Sequence, residues 1–336
     1  MSHYRVPSYA LKVAKKSAQS ANLAIWIDIQ PREALKIRKV LILHKKSTFQ
    51  LQAVEHKEAR FLKLLEEGNE VVARVKLAHE EHIETLNLLE SELKRRKIEF
   101  HSVARAEITD WVTDYDLMMA VGGDGTFLDA SHALHHVPLL GINSSSSSSF
   151  GHFCLGNQKN LTSILDQIQD DSLKASQLLR LQLTINGKLM PELILNEVLV
   201  SHKHPAATSR YFIDLHGEKE EQRSSGIWIG TPAGSTGSLR SAGGAVLPIL
   251  DTRYQYVVRE ACMRPSEKWH LIRGLLSADE SIHLVSQMRT GAIYADGQHI
   301  EYDFNLGDEL IVRTSPNSLR AFVSANVNDI FSTNCR

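Results

Sequence analysis

Leu117-Met118-Met119-Ala120-Val121-Gly122-Gly123-Asp124-Gly125-Thr126 is an apolar run that ends abruptly in two glycines, a carboxylate, a third glycine and a hydroxyl. Such a run reads as a buried strand. The glycines after it read as a loop whose backbone can approach an anion, because without a Cβ their N–H groups can turn toward phosphate oxygens. Asp124 is the unexpected member. A carboxylate repels phosphate unless it holds a metal or handles the hydroxyl that is about to attack, so a kinase-type acid is the economical reading. A tight turn after a strand also uses glycines, and these residues alone leave that alternative open.

Upstream, Lys39-Val40-Leu41-Ile42-Leu43-His44 is another strand-like run. The Glu-, Lys-, Leu- and Ala-rich stretch 55–97 is helical, with Val72, Val75, Ala78, Ile83, Leu86, Leu89 and Leu93 near helical spacing and Gly68 as a break. Ile98 to Val103 restores a strand, Thr126 to Leu134 a helix, and Pro138 to Ile142 a further strand. This alternation predicts βαβ units and a mostly parallel, Rossmann-like sheet, in which ligands sit beyond the carboxyl ends of the strands. The loops at Gly122–Thr126 and Asn143 are therefore expected to face one site.

After Arg180 the pattern changes to alternation: Leu181, Leu183 and Ile185 are separated by polar residues, and Asn186-Gly187 supplies a hairpin turn. Short β segments are expected at 192–202, 211–216, 226–230, 281–286, 292–295, 309–314 and 321–324. Thr231-Pro232-Ala233-Gly234-Ser235-Thr236-Gly237-Ser238, followed by Ser241-Ala242-Gly243-Gly244, is a second cluster of small donors suited to a polar ligand, or to a flexible turn. Asn196 and Glu197 interrupt an apolar strand, and burying them is costly unless each finds a partner such as a ribose diol or an adenine edge.

The 336 residues are 43% hydrophobic, with 38 Lys and Arg against 39 Asp and Glu, so the overall charge gives no nucleic-acid or anionic-membrane footprint. Cys154, Cys262 and Cys335 have no metal spacing and suit a reducing, cytoplasmic setting. No stretch approaches the ~20 apolar residues needed to cross a bilayer. Arg5, Lys12, Lys15 and Lys16 precede the first acid, Asp28, which faintly resembles a targeting presequence, but 10–25 reads more simply as a basic surface helix. His132, His135 and His136 are expected to sit on a solvated helix without a metal, since no acid lies between them as in HExxH.

Six motifs fall in one order: Gly122-Gly123-Asp124-Gly125-Thr126, Gly141-Ile142-Asn143-Ser144, Gly151-His152, Asn196-Glu197, the 231–244 cluster, and Asp296-Gly297-Gln298. This order resembles the NAD kinase family from Lys39 onward. The runs Pro205–Arg210, Arg223–Gly226 and Gly291–Gly297 are similar to its plant NADH kinase branch. The resemblance implies transfer of the ATP γ-phosphate to the 2′-hydroxyl of the adenosine ribose of NAD(H), with NADH the favoured acceptor on the branch motifs and a divalent metal (Mg or Mn) as cofactor. It implies an α/β domain joined to a β-sandwich, in a homo-oligomer (dimer or tetramer). The domain limits drawn from it are a helical extension over 1–38, the α/β domain over 39–175, a dinucleotide-binding β-sandwich over 176–305, and C-terminal strands over 306–336 that return to the first domain.

Residue by residue, the resemblance makes Asp124 the acceptor or orienter of the 2′-hydroxyl proton. Gly123, Gly125, Thr126 and Asn143 line the phosphates and the loop beside them, Asn196 and Glu197 hold the adenosine end, and Thr236, Ser241 and Gln298 contact the dinucleotide. Arg210 is a candidate phosphate contact or a surface ion pair. No protein metal ligand is assigned. This chain departs from many members at Ser225, where they have Asp, at Ser238, where they have Tyr, and at the run Ser144–Ser149, where they have an Asp-Pro pair. The serine run reads as a solvated, mobile loop or as a lid over the dinucleotide. Two rival functions stay open: a lipid kinase of the diacylglycerol or sphingosine type, which shares the GGDGT loop, and a dinucleotide sensor without catalysis.

Overall fold

The computed structural model describes residues 35–105, 110–262, 269–326 and 328. The expected basic helix at 10–25 and most of the 1–38 extension lie outside these residues.

Strand β1 (Lys39–His44) is followed by helices α1 (Ala59–Glu66) and α2 (Glu70–Arg95), which part at Gly68, a residue with φ of +67°. Then come β2 (Glu99–Ala104), β3 (Leu117–Gly122), α3 (Asp124–His132), β4 (Leu139–Asn143), β5 (Gly156–Asn157), α4 (Leu161–Gln169) and β6 (Ser176–Leu178). The second half contributes β7 (Leu181–Ile185), β8 (Lys188–Leu189), β9 (Glu197–His202), β10 (Ser209–Leu215), β11 (Glu218–Ser224), β12 (Ile227–Gly230) and a short helix α5 (Ser238–Ser241). It continues with β13 (Tyr254–Val258), β14 (Arg273–Leu276), β15 (Ser281–Ser286), β16 (Gly291–Ala295), β17 (Ile300–Asp303), β18 (Glu309–Thr314) and β19 (Leu319–Phe322).

The first sheet runs β2-β1-β3-β4-β19-β6, with β5 beside β4. Its strands pair in parallel except at the edge, where β6 runs antiparallel to β19. Because both faces are covered, alternate residues of one strand serve two cores. Val40 and Ile42 with Leu117, Met119 and Val121 face α2 and α4 through Leu89, Leu93, Ile164, Leu165 and Ile168. Leu41 and Leu43 with Met118 and Ala120 face Phe127 and Ala130 of α3, together with Leu195, Ala233 and Ile249 of the second half. A parallel sheet buried on both sides has to be apolar at every position, which is why its strands read as unbroken hydrophobic runs.

The other two sheets are antiparallel, ordered β11-β10-β15-β18-β7-β8 and β14-β13-β12-β9-β16-β17. Their inner faces share one core, which includes Leu183, Tyr211, Ile213 and Leu284 from the first and Val198, Val200, Ile229 and Ile293 from the second. This is a β-sandwich joined to the α/β layer. Two pieces cross the limits drawn from sequence. Ser176–Leu178 pairs in the first sheet, and Glu309–Thr314 pairs in the sandwich before β19 returns between β4 and β6. β19 pairs directly with β4 in parallel, and the antiparallel strand β6 forms the edge beyond it.

Candidate active site

The loop after β3 and the loop after β4 lie side by side, since Gly122 and Asn143 are register partners and Ser144 N–H donates to Gly122 O at 2.9 Å. Gly123 caps α3, and Asp124 is the first residue of that helix. A Cβ on Gly122 would collide with Thr126 Oγ1, so the tight turn depends on glycine there. Asp124 Oδ1 accepts the Phe153 N–H at 2.8 Å, which leaves its second oxygen for a ligand. Phe153 stacks on Phe127 of α3, with ring centroids 5.2 Å apart, so the segment 150–154 is packed against the helix that carries the acid.

Asn143 does not turn outward to a ligand. Its amide holds the serine run in place, with Nδ2 donating to Ser149 O at 3.0 Å and Oδ1 accepting from Ser145 N at 3.2 Å. The run is also fastened to α2: Ser145 and Ser147 hydroxyls donate to Glu81 Oε2 at 2.5 and 2.8 Å, and Thr85 donates to Ser144 O at 3.1 Å. The loop expected to be mobile is thus tied at Ser144, Ser145, Ser147 and Ser149, although Ser146, Ser147 and Ser148 are exposed.

On the sandwich side, Thr231 starts the turn Ala233–Thr236: its Oγ1 accepts from Ala233 N at 3.0 Å and donates to Leu195 O. A Cβ on Gly234 would come within 2.5 Å of Asn196 O and 2.6 Å of Glu197 Oε2, so this glycine lets the turn lie directly on the Asn196-Glu197 pair. Asn196 Oδ1 is buried and has no hydrogen-bond partner among the described residues. Burial, reinforced by the charge of Asp296, pushes the Glu197 carboxyl up to about 8, so at neutral pH it is protonated and can donate as well as accept. Thr236 is half-buried at the end of the turn. Ser241 is exposed on α5, with its hydroxyl donating to Gly237 O at 3.3 Å, and Gln298 is exposed in the β16–β17 turn.

Next to α3, on the side of its middle turns, lies a cavity of about 810 Å³. Lys45, Lys46 and Arg105 from the ends of β1 and β2 line it, with His132, Asp129 and Trp111. Arg105 pairs with Asp129 of α3 and lies 4.0 Å from the position a Gly125 Cβ would take. Burial lowers Lys45 and Arg105 from their ordinary values. Of these cations Arg105 stands beside the glycine loop, while Lys46 pairs with Glu55 at 3.1 Å.

The profile of the ATP-NAD kinase N-terminal domain matches residues 40–173. A rice protein named "Probable NADH kinase" is 35% identical over 268 residues, covering 73% of this chain and 82% of its own. The chain belongs to the NAD kinase family. Arabidopsis NADH kinase is 29% identical over 283 residues, covering 75% of this chain and 86% of its own. The fold is that of yeast NADH kinase complexed with NADH, at a TM-score of 0.61 and 15% identity over 92% of this chain and 94% of that one. It is equally that of Archaeoglobus fulgidus NAD kinase in complex with ATP, at 0.61 and 20% over 88% and 97%.

In this NAD kinase family member the histidine expectation needs correction. α3 ends at His132, so His135 and His136 lie beyond the helix. Instead His132 is turned inward, its side chain 17% exposed, with Nε2 3.2 Å from Asp296 Oδ2. Arg210 is exposed on β10, in the sheet that does not carry Asn196 and Glu197. Sequence reasoning also passed over Arg180, which is fully buried and donates to Ser131 O at 3.0 Å and Leu134 O at 2.8 Å, closing the far end of α3. A lone arginine within Leu178-Leu179-Arg180-Leu181 was the available signal, because an arginine in an apolar run has to find acceptors.

Proposed function

We infer that this protein is an NAD(H) kinase that moves the γ-phosphoryl group of ATP to the adenosine 2′-hydroxyl, with NADH as the preferred acceptor. The observation that carries the reading is the placement of Asp124: a carboxylate at the head of a helix, one oxygen fixed by a backbone N–H, beside a glycine turn. A helix start and a glycine turn favour the anionic phosphates, and the carboxylate then has one task left, to orient the attacking hydroxyl. In the step proposed, the 2′-oxygen attacks the γ-phosphorus, the bond from γ-phosphorus to the β-bridging oxygen breaks, the hydroxyl proton passes to Asp124, and ADP leaves. A weak base suffices, because a loose transition state asks for little deprotonation before attack.

The remaining roles are assigned on the same reading. Gly123, Gly125 and Thr126 line the phosphates. Asn196, with its unpartnered buried oxygen, and Glu197, protonated at neutral pH, hold the adenosine end, where hydroxyl and amino groups offer the missing partners. Thr236, Ser241 and Gln298 flank the dinucleotide, and Lys45, Lys46 and Arg105 face the donor phosphates. Asn143 acts at one remove, by shaping the loop over them.

Among the described residues no three His, Cys, Asp or Glu side chains converge as a metal-binding group. A magnesium or manganese ion fits this site only as one carried on the nucleotide's own phosphates, an arrangement that asks for few protein ligands. When bound, it neutralises charge on the phosphoryl group in transit.

NADH preference draws support from the names of the rice and Arabidopsis relatives. One coupled assay tests the whole reading: NAD and NADH as acceptors, each against ATP and polyphosphate with magnesium. NADPH formation from NADH and ATP is expected, and a tenfold preference for NAD would remove the acceptor clause. No helix among the described residues is long and apolar enough to cross a membrane. A cytoplasmic location and a dimer or tetramer go with the proposal, to be checked by fractionation and light scattering.

A further inference from the structure

Asn328 lies six residues beyond the last strand, and its side chain is buried between the two halves of the site, with 1% of the residue exposed. Its Nδ2 donates to Leu247 O at 2.6 Å and Pro232 O at 2.9 Å, with Ser235 Oγ at 3.4 Å. Two carbonyl oxygens on one side fix which end of the amide is nitrogen, so Oδ1 must face the other way. It faces His152, whose Nε2 lies 2.9 Å from it. Only a protonated Nε2 can donate to that oxygen, so Asn328 selects one tautomer of the ring. Burial lowers His152 from its ordinary value, against the opposing effects of Asn328 and Asp124, which keeps the ring neutral and makes the tautomer choice matter.

The next residue of the chain is the one that holds the acid. Phe153 N–H donates to Asp124 Oδ1, and the Phe153 ring packs edge-on against His152 at 5.0 Å and stacks on Phe127. A shift of the imidazole therefore moves the peptide on which the Asp124 carboxylate rests.

We propose that Asn328 is a positioning residue for the phosphoryl transfer: by tying His152 to the Pro232–Ser235 turn, it sets the Asp124 carboxylate from the opposite half of the molecule. The inference rests on the kinase reading above. It gives Asn328 a part in the reaction although it touches no substrate, because its amide joins the Pro232–Ser235 turn to the residue beside the acid. Holding a reacting group to within a fraction of an ångström is worth large factors in rate, so a residue of this kind acts on turnover more than on binding.

The test is a double-mutant cycle on the full chain with NADH and MgATP. Asn328→Ala is expected to lower kcat roughly 10- to 100-fold while KM for NADH changes less than about threefold. His152→Ala with Asn328→Ala should be no slower than His152→Ala alone, because the two act as one unit. ¹⁵N spectra of the histidines should show His152 protonated at Nε2 in the wild type and a tautomeric mixture in Asn328→Ala. If the alanine variant does not fold, His152→Gln, whose side-chain N–H can still donate to Asn328 Oδ1, should retain more turnover than His152→Ala, and equal losses in the two would overturn the proposal. A folded Asn328→Ala with kcat within about twofold of wild type, multiplying losses in the cycle, or an unchanged tautomer would overturn the proposal. Should the wild type not phosphorylate NADH or NAD at all, the kinase reading fails, and the tautomer spectra still decide whether Asn328 governs His152.

Discussion

His132 Nε2 and Asp296 Oδ2 lie 3.2 Å apart, and through that contact the helix that begins with Asp124 is joined to the strand that begins with Glu197. Asp296 is fully buried on its side chain and takes three backbone donors, from Leu195 at 2.8 Å, Asn196 at 2.7 Å and Glu197 at 3.1 Å. Its own N–H returns to Glu197 O at 2.9 Å from a backbone with φ of +46°. One carboxylate thus organises the backbone of the proposed adenosine-binding pair. Arg180, held below its ordinary value at about 10 by burial and partly restored by Asp296, closes the same end of α3.

Replacing that carboxylate separates anchoring from chemistry. In Asp296→Asn an amide nitrogen must face a backbone N–H or His132, and each buried donor left unpaired costs about 1–3 kcal/mol. The expected result is a KM for NADH raised about tenfold or more with a smaller change in kcat, measured by steady-state kinetics. His132→Ala should move the same constant in the same direction by less, since the backbone donors remain paired.

The split between what the sequence disclosed and what it hid follows from the range of the interactions. β1, β3 and β4 were legible because a strand buried on both faces is apolar throughout, and the Gly68 break because a helix cannot absorb φ of +67°. β11, Glu218–Ser224, was not, since Glu-Lys-Glu-Glu-Gln-Arg-Ser on an exposed edge carries no β signal of its own and is made a strand by pairing with β10. α4 was readable and passed over: Leu161, Ile164, Leu165 and Ile168 are its buried face at helical spacing. For the site, the glycine loop and the Asn196-Glu197 interruption stood out because each violates local expectation. His132 with Asp296 and His152 with Asn328 did not, because partners 164 and 176 residues apart leave no periodic trace.

Asp124→Asn isolates the proposed proton-handling role. The asparagine oxygen can still accept the Phe153 N–H, so the loop and the fold are expected to persist, with an unchanged thermal melt. The charge and the basicity are lost, and kcat should fall at least about 100-fold. Near-normal turnover in the folded variant would show that this carboxylate does not act on the hydroxyl.

Glu197 gives the protein a pH signature in stability. Its carboxyl titrates near the ordinary value when unfolded and only at about 8 when folded, because burial and then Asp296 disfavour the charge. Between those values the folded state binds one more proton than the unfolded state, so stability falls as pH rises from about 4.5 toward about 8 and levels off above it. Glu197→Gln removes this slope. Urea unfolding of both proteins at about pH 5 and about pH 8.5 should show the variant gaining on the wild type at the higher pH, and parallel behaviour would refute the assignment.

Cys154 reports on the same interior from the side of the acid. Burial first, then the charge of Asp124, raises its thiol to about 12 against the opposing effect of Lys45. A thiol held neutral at pH 8 presents almost no thiolate, and the thiolate is the reactive form. Cys262 is exposed to the reagent. Iodoacetamide at about pH 8 should therefore alkylate Cys262 at least about tenfold faster than Cys154, read peptide by peptide in a mass spectrometer. Asp124→Asn removes a negative charge that acts on the thiol, so labelling at Cys154 should rise in that variant while Cys262 is unchanged. An equal or lower rate at Cys154 would mean that the carboxylate does not sit where its effect on the thiol requires.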